Sequence, residues 1–334
     1  MLFFYLIFII IFLIGIKEIR KDNPNYLNKN TTTIINGMMV ITVFFSHFLS
    51  YITVSNIYDE YMVTIVHKIG QLMVTSFLFY SGYGIYESIK NKKDYMDSFF
   101  KKRFIPTFIN FAIAVILFII VNLILGNNYS VSKILLSFTG WESIGNSNWY
   151  MLAIFVFYLL IILLFNKKIK LDNIYRIILL SILTVIYMYV VTRFKDNYYV
   201  DTILCFPIGM FYSYYKDKID NLLKKKYWLC IVVVSILVIG SYYLRNYIDN
   251  VYVYNLFAIF FIIWIVIMTR RIKLNSKIIT FFGVHTFWIY ILQRIPMMIL
   301  QNKLDNYIYF IVCFGITILL SYFLKKITDK LWKK

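Results

Sequence analysis

A histidine set in an apolar run is the first residue here whose type could do chemistry. His47 closes the stretch Ile35-Asn36-Gly37-Met38-Met39-Val40-Ile41-Thr42-Val43-Phe44-Phe45-Ser46-His47. A neutral imidazole there could take a proton from an attacking hydroxyl or carry a group transiently. Asn36 precedes it by eleven residues. At 1.5 Å per residue the two share one helix face about 16 Å apart, with Val40, Val43 and Ser50 between and beyond them. The plainer alternative is a histidine that bonds a neighbouring helix for packing.

Gln293 and Arg294 interrupt a second apolar run, Phe287 to Pro296, in which Thr286, Tyr290, Gln293 and Met297 fall on one stripe. A guanidinium at that depth needs a partner, a wet cavity or a route to the interface. Arg294 could donate to a substrate carbonyl or anion; the alternatives are an ion pair with Asp201, or snorkelling. Ser76, Tyr80, Tyr83 and Glu87 form a third polar face. Tyr80, Tyr83 and Glu87 are candidate substrate contacts there, although a charge near a helix end, as Glu87 is, can simply reach water. Trp149 reads as an interface aromatic or a substrate contact. Asp59, Glu60 and Glu142 read as solvated loop acids, and His67 and His285 as helix-end residues. Lys101, Lys102 and Arg103, just before Pro106, could face the phosphates of a nucleotide-like molecule, or could only fix topology. Cys205, Cys230 and Cys313 have no ligand spacing and imply no metal.

The elements that must position these groups are membrane helices. Of 334 residues, 61% are hydrophobic and only 15% charged. The apolar residues come in runs long enough to cross about 30 Å of hydrocarbon as helices, and they lack the alternation of a barrel. The expected fold is an all-α bundle of about eleven spans, near 1–16, 34–54, 67–88, 104–125, 149–165, 174–192, 199–215, 227–244, 251–269, 281–300 and 306–324. Residues 1–33 read as an anchor helix with a basic loop, 34–324 as one membrane domain and 325–334 as a basic tail.

The net charge of +19 is distributed by loop. Alternate loops and the tail hold 28 of the 35 Lys and Arg residues. That pattern is the positive-inside bias of a protein whose partner is the lipid bilayer, so it does not call for nucleic acid. It sets the basic loops and the C-terminus in the cytoplasm and the N-terminus outside a cytoplasmic (inner) membrane. The first segment has no basic leader and no small-residue cleavage site, so it is expected to stay as an anchor.

In this order the motifs resemble the acyltransferase-3 family over residues 30–324. Besides the helix ending in His47, the matching stretches are Phe79-Tyr80-Ser81-Gly82-Tyr83, Phe100 to Pro106, Trp149-Tyr150-Met151-Leu152, Phe206-Pro207-Ile208-Gly209 and Phe287 to Pro296. The resemblance implies a ten-helix unit that moves acyl groups, usually acetyl from acetyl-CoA, onto sugars of cell-surface glycans. It implies His47 as the key histidine, Lys101, Lys102 and Arg103 as the donor-binding cluster, and a saccharide or lipid-linked glycan as acceptor. Asn36 stands where the family usually has Arg, and Gln293 near a position that is often His. No Glu occurs in Ile154-Phe155-Val156. Arg294 is a candidate replacement for the missing positive charge. A transporter or flippase for a lipid-linked saccharide, and an inactive relative acting as an assembly partner, are the alternative readings.

The charge map is testable by fusion. A reporter active only in the cytoplasm should be active when joined after Lys93 and silent when joined after Asn128; the opposite pattern would reverse the orientation.

Overall fold

The structure is a computed structural model that describes residues 1–19, 22–54 and 56–332. Arg20, Lys21, Lys333 and Lys334, expected in the basic loop and tail, lie outside the described residues, as does Ser55.

The described helices are α1 (Leu2–Ile14), α2 (Lys29–Leu49), α3 (Ile57–Ile69), α4 (Thr75–Asn91), α5 (Tyr95–Phe99), α6 (Ile105–Ile124), α7 (Val131–Ser137), α8 (Trp149–Leu164), α9 (Asn173–Val191), α10 (Cys205–Tyr214), α11 (Lys216–Tyr247), α12 (Val251–Met268), α13 (Lys277–Val284), α14 (Thr286–Leu292), α15 (Arg294–Leu300) and α16 (Asn306–Leu331). Two three-residue strands, β1 (Ile16–Glu18) and β2 (Ile272–Leu274), pair antiparallel. The chain is thus an all-α, multi-pass membrane bundle. Only helices can satisfy their own backbone in lipid, which is why the apolar runs take this form.

Each of the eleven expected segments contains helix, but not all have full spanning length. Seven described helical segments are long and apolar enough to cross a bilayer, or eight if the bent pair α13 with α14–α15 counts as one. The bend is 65°. It falls at His285, whose Nδ1 pairs with the Phe281 carbonyl at 2.7 Å. The other three segments are shorter: α1 has 13 residues, α8 has 16 and α10 has 10. Pro106 sits in the first turn of α6, as expected, and a π-helical turn at Phe100–Phe104 carries Lys101, Lys102 and Arg103 into it. Asp59 is a correction. It is a buried residue in the first turn of α3, not a solvated loop acid. It accepts from Asn56 at 2.9 Å and from Tyr307 at 3.1 Å, and it pairs with the Met1 ammonium.

Two helix pairs approach so closely that only glycine fits. A Cβ on Gly82 of α4 would lie 2.0 Å from the Phe206 carbonyl oxygen, and one on Gly209 of α10 would lie 2.1 Å from that of Phe79. The contact is reciprocal, each glycine receiving the other helix's backbone. Gly283 of α13 meets the Thr33 carbonyl of α2 at 1.9 Å in the same sense. Small residues are the usual way to bring helices together where lipid offers no hydrophobic drive. Here they fix α2, which carries Asn36 and His47, and α4, which carries Tyr80, Tyr83 and Glu87.

The basic loops meet at one end. Lys167 bridges Asp94 and Asp97 at 2.6 Å each. Lys90 donates to the Ser213 carbonyl at 2.8 Å. Tyr26 bonds Tyr212 at 2.8 Å and Asp220 at 2.7 Å. Arg270 clasps Asp22 at 2.6 Å and Asp220 at 2.5 Å. At the other end Lys195 pairs with Glu142 at 2.6 Å, and Asn148 donates to Tyr199 at 2.8 Å. The alternation of charge along the chain is therefore a separation between the two ends of the bundle.

Gly209→Ala should lower the stability of the purified protein by about 1–3 kcal/mol, because the new methyl overpacks against backbone. Gly240→Ala is the control: no atom lies within 4 Å of its would-be Cβ, and it should change little. Equal stability of the two variants would show that the α4–α10 contact is not that close.

Candidate active site

Three elements bring polar groups into the apolar interior at one place. α2 presents His47 in its last turn. The bend after α13 turns α14 so that Tyr290 comes within 6.3 Å of His47, ring centre to ring centre. α8 begins with Trp149. These side chains, with Ser46 and Gln71, line a cavity of about 120 Å³. That is room for several waters or for a reacting group, and polar walls favour its being filled.

The unusual feature of this place is its unmet hydrogen bonding. His47 Nδ1, Tyr290 Oη, Gln293 Oε1 and Arg294 Nε are all buried without a hydrogen-bond partner in the protein. Buried polar atoms without partners are rare, and each calls for a reason. Four on neighbouring residues mark a site built for something else to complete. Gln293 is fully buried, and its amide nitrogen donates to the Tyr290 carbonyl at 3.0 Å. Its free atom is thus an acceptor, which suits a ligand hydroxyl. Arg294 has only donors, which suits a carbonyl oxygen or an oxyanion.

Arg294 forms no ion pair among the described residues. Asp201, a sequence-derived candidate partner, has Arg245 and Asp249 as its charged neighbours instead. The guanidinium acts electrostatically on His47, Tyr51, Tyr198 and Tyr290.

The remaining candidates lie along the way to the basic end. Asn36, three turns from His47 on α2, has a buried carbonyl oxygen with no partner, and so does the Tyr80 hydroxyl on α4. Tyr83 faces Tyr212 at 6.4 Å. Glu87 is held by protein: Ser213 donates to it at 2.7 Å, Lys90 pairs with it at 2.7 Å and Asn91 donates at 3.1 Å. Its place is a strut between α4 and α10. Lys101, Lys102 and Arg103 are exposed at the basic end. Arg103 lies beside Tyr95 and Tyr158. From there a line of neighbours runs inward: Tyr158 to Tyr150, Tyr150 to Tyr290 at 5.6 Å, and Tyr290 to His47. Tyr158 and Trp149, nine residues apart on α8, set the length of this route at about 14 Å.

Gln71 and Tyr150 belong to the site and were not picked out as site residues by their types. Gln71 follows Gly70 inside an otherwise apolar stretch, and that interruption was the available signal. Tyr150 was visible only as part of a motif. Trp149 is buried and lines the cavity.

The chain is thus a multi-pass helical membrane protein with an orphaned polar cluster around one histidine. Residues 33–326 match a family model described as an acyltransferase domain; the chain belongs to the acyltransferase-3 family of membrane acyltransferases. Comparison with curated proteins and with solved structures gives no match.

Tyr290→Phe tests whether the cluster is open to a ligand. Removing a hydroxyl that has no protein partner should leave stability unchanged or raise it by up to about 1–3 kcal/mol. A loss of more than about 1 kcal/mol on thermal unfolding would mean that the hydroxyl is already satisfied.

Proposed function

We propose that the protein transfers an acyl group, most simply acetyl from acetyl-CoA, to a hydroxyl of a saccharide or lipid-linked glycan. The observation that carries this reading is the cluster of unpartnered buried atoms on His47, Tyr290, Gln293 and Arg294. The donor binds at the basic end, where Lys101, Lys102 and Arg103 offer exposed positive charge to its phosphates. Its thioester arm follows the tyrosine line of α8 and α14 toward the cavity.

In the cavity His47 takes the proton of the acceptor hydroxyl as that oxygen bonds to the thioester carbonyl carbon. Negative charge develops on the carbonyl oxygen, and Arg294 donates to it. The carbon–sulfur bond then breaks, and the imidazolium returns its proton to the leaving thiolate. Atoms and charge balance without a further reactant. Gln293 accepts from a neighbouring hydroxyl of the acceptor sugar and so orients the attacking one toward His47. Arg294 supplies from α15 the positive charge that Asn36 does not supply from α2. In this reading the basic loops face the cytoplasm and the His47 end faces outward. A donor site and an unsatisfied histidine in one bundle favour chemistry over passive transport.

His47→Ala should retain its membrane level and lower glycan acylation by roughly 10²–10⁴-fold, the usual worth of a general base. Acylation at the wild-type rate, measured as ester released from cell-surface glycan, would sink the mechanism.

A further inference from the structure

Beyond the His47 cavity, the end opposite the basic loops holds a second polar space. It is a groove of about 470 Å³ walled by Glu142, Arg193, Lys195, Asp196 and Tyr198, among others. Phe194 and Tyr198 present exposed aromatic surface there. The charges balance: two acids face two bases, and Lys195 and Glu142 already neutralise each other at 2.6 Å. Lys195 also lies over the Trp141 ring, 5.0 Å from its centre, which keeps the pair in place.

The groove is joined to the cavity by chain. Ser143 lines the groove and Trp149 lines the cavity. They are six positions apart along the chain, so the two spaces are at most about 22 Å apart. The connecting loop is buried yet not satisfied. Asn146 and Ser147 are 1% and 5% exposed, and Asn146 Nδ2 and Ser147 Oγ have no hydrogen-bond partner. The loop is not loose: Asn146 Oδ1 accepts from the Ile144 backbone at 3.1 Å, and Asn148 donates to the Gly140 carbonyl at 2.9 Å. Its orphan atoms are therefore held in place without partners. On the other wall Tyr198 is an electrostatic neighbour of both Arg294 and Tyr290.

We infer that this groove is a docking subsite for a neutral saccharide, which it feeds through the Asn146–Ser147 loop toward His47. The ligand class follows from the chemistry. Carboxylates and cationic donors in balance suit a ligand with many hydroxyls and no net charge. Exposed aromatic faces suit the apolar face of a sugar ring. The loop's unpaired donor and hydroxyl suit further hydroxyls of the same chain. An anionic ligand would meet Glu142 and Asp196; an apolar one would leave the loop unsatisfied. The inference rests on the acyl-transfer reading for its purpose, but not for its binding.

The test uses the full chain in nanodiscs on an array of neutral and uronic-acid-containing oligosaccharides. Retention of at least one neutral oligosaccharide is expected, with uronic-acid chains retained at least tenfold less. The double variant Asp196→Ala, Tyr198→Ala should lose at least tenfold in retention, while the control Gly240→Ala, whose new methyl meets no atom within 4 Å, should retain the sugar as wild type does. Both altered groove residues are exposed, so the fold should survive; a matching melting temperature checks this. Absence of any neutral ligand, preference for the uronic acids, or retention indifferent to the double variant would overturn the inference. Groove-dependent retention without acyl transfer in any assay would leave the subsite standing and remove the acyl-transfer reading. Acyl transfer to glycan that the double variant does not slow would do the reverse.

Discussion

The constraint on which the structure turns is the cost of an unpaired polar atom where there is no water. In hydrocarbon each such group costs several kcal/mol, and most of this molecule obeys the rule. Asn255 is fully buried and donates to the Val200 carbonyl at 2.8 Å while accepting from the Leu204 backbone at 3.0 Å. Asn122 closes the Ile144 carbonyl at 2.7 Å. Against that background the open atoms of His47, Tyr290, Gln293 and Arg294 stand out as a group. A bundle able to satisfy Asn255 twice has the means to satisfy them, and does not.

Holding that cluster open takes rigid walls. The glycine contacts between α4 and α10 and between α2 and α13 bring backbones together without side chains between them. The 65° bend at His285 then turns Tyr290 and Arg294 toward α2. At the basic end, the Tyr26, Tyr212, Asp220, Arg270 and Asp22 network ties three loops to each other. The two ends are thus braced separately, and the polar cavity lies between them. On the proposed reading, a donor and an acceptor that never share a compartment can meet there.

Much of this was legible in the residues. The apolar runs give helices because lipid permits little else, and the loop charges sort into the two groups that the folded ends display. His47, Tyr290 and Trp149 do share a cavity, and Gln293 and Arg294 lie beside it. What the residues did not give are matters of tertiary contact. Whether a run of 17 apolar residues becomes a full span or a 10-residue helix such as α10 depends on what packs beside it. Glu87 looked like a site residue because its type is rare in a span; Lys90, three residues on, is a partner that spacing shows, but Ser213 comes from a contact that spacing does not reveal. The role of Asp59 depends on Tyr307, almost 250 residues away. Gln71, Asn146 and Ser147 are ordinary polar residues until burial shows which of their atoms lack partners.

The central claim is that donor and acceptor reach one histidine from opposite ends of the bundle. Proteoliposomes containing the purified full chain in a known orientation test it directly. Acetyl-CoA labelled in the acetyl group is placed on the basic-loop side, and a saccharide extract of the source organism's cell envelope on the other. The account predicts labelled ester on the saccharide, formed across the membrane, and none with acetyl-CoA on the opposite side. Labelling only when both substrates share a compartment would contradict it.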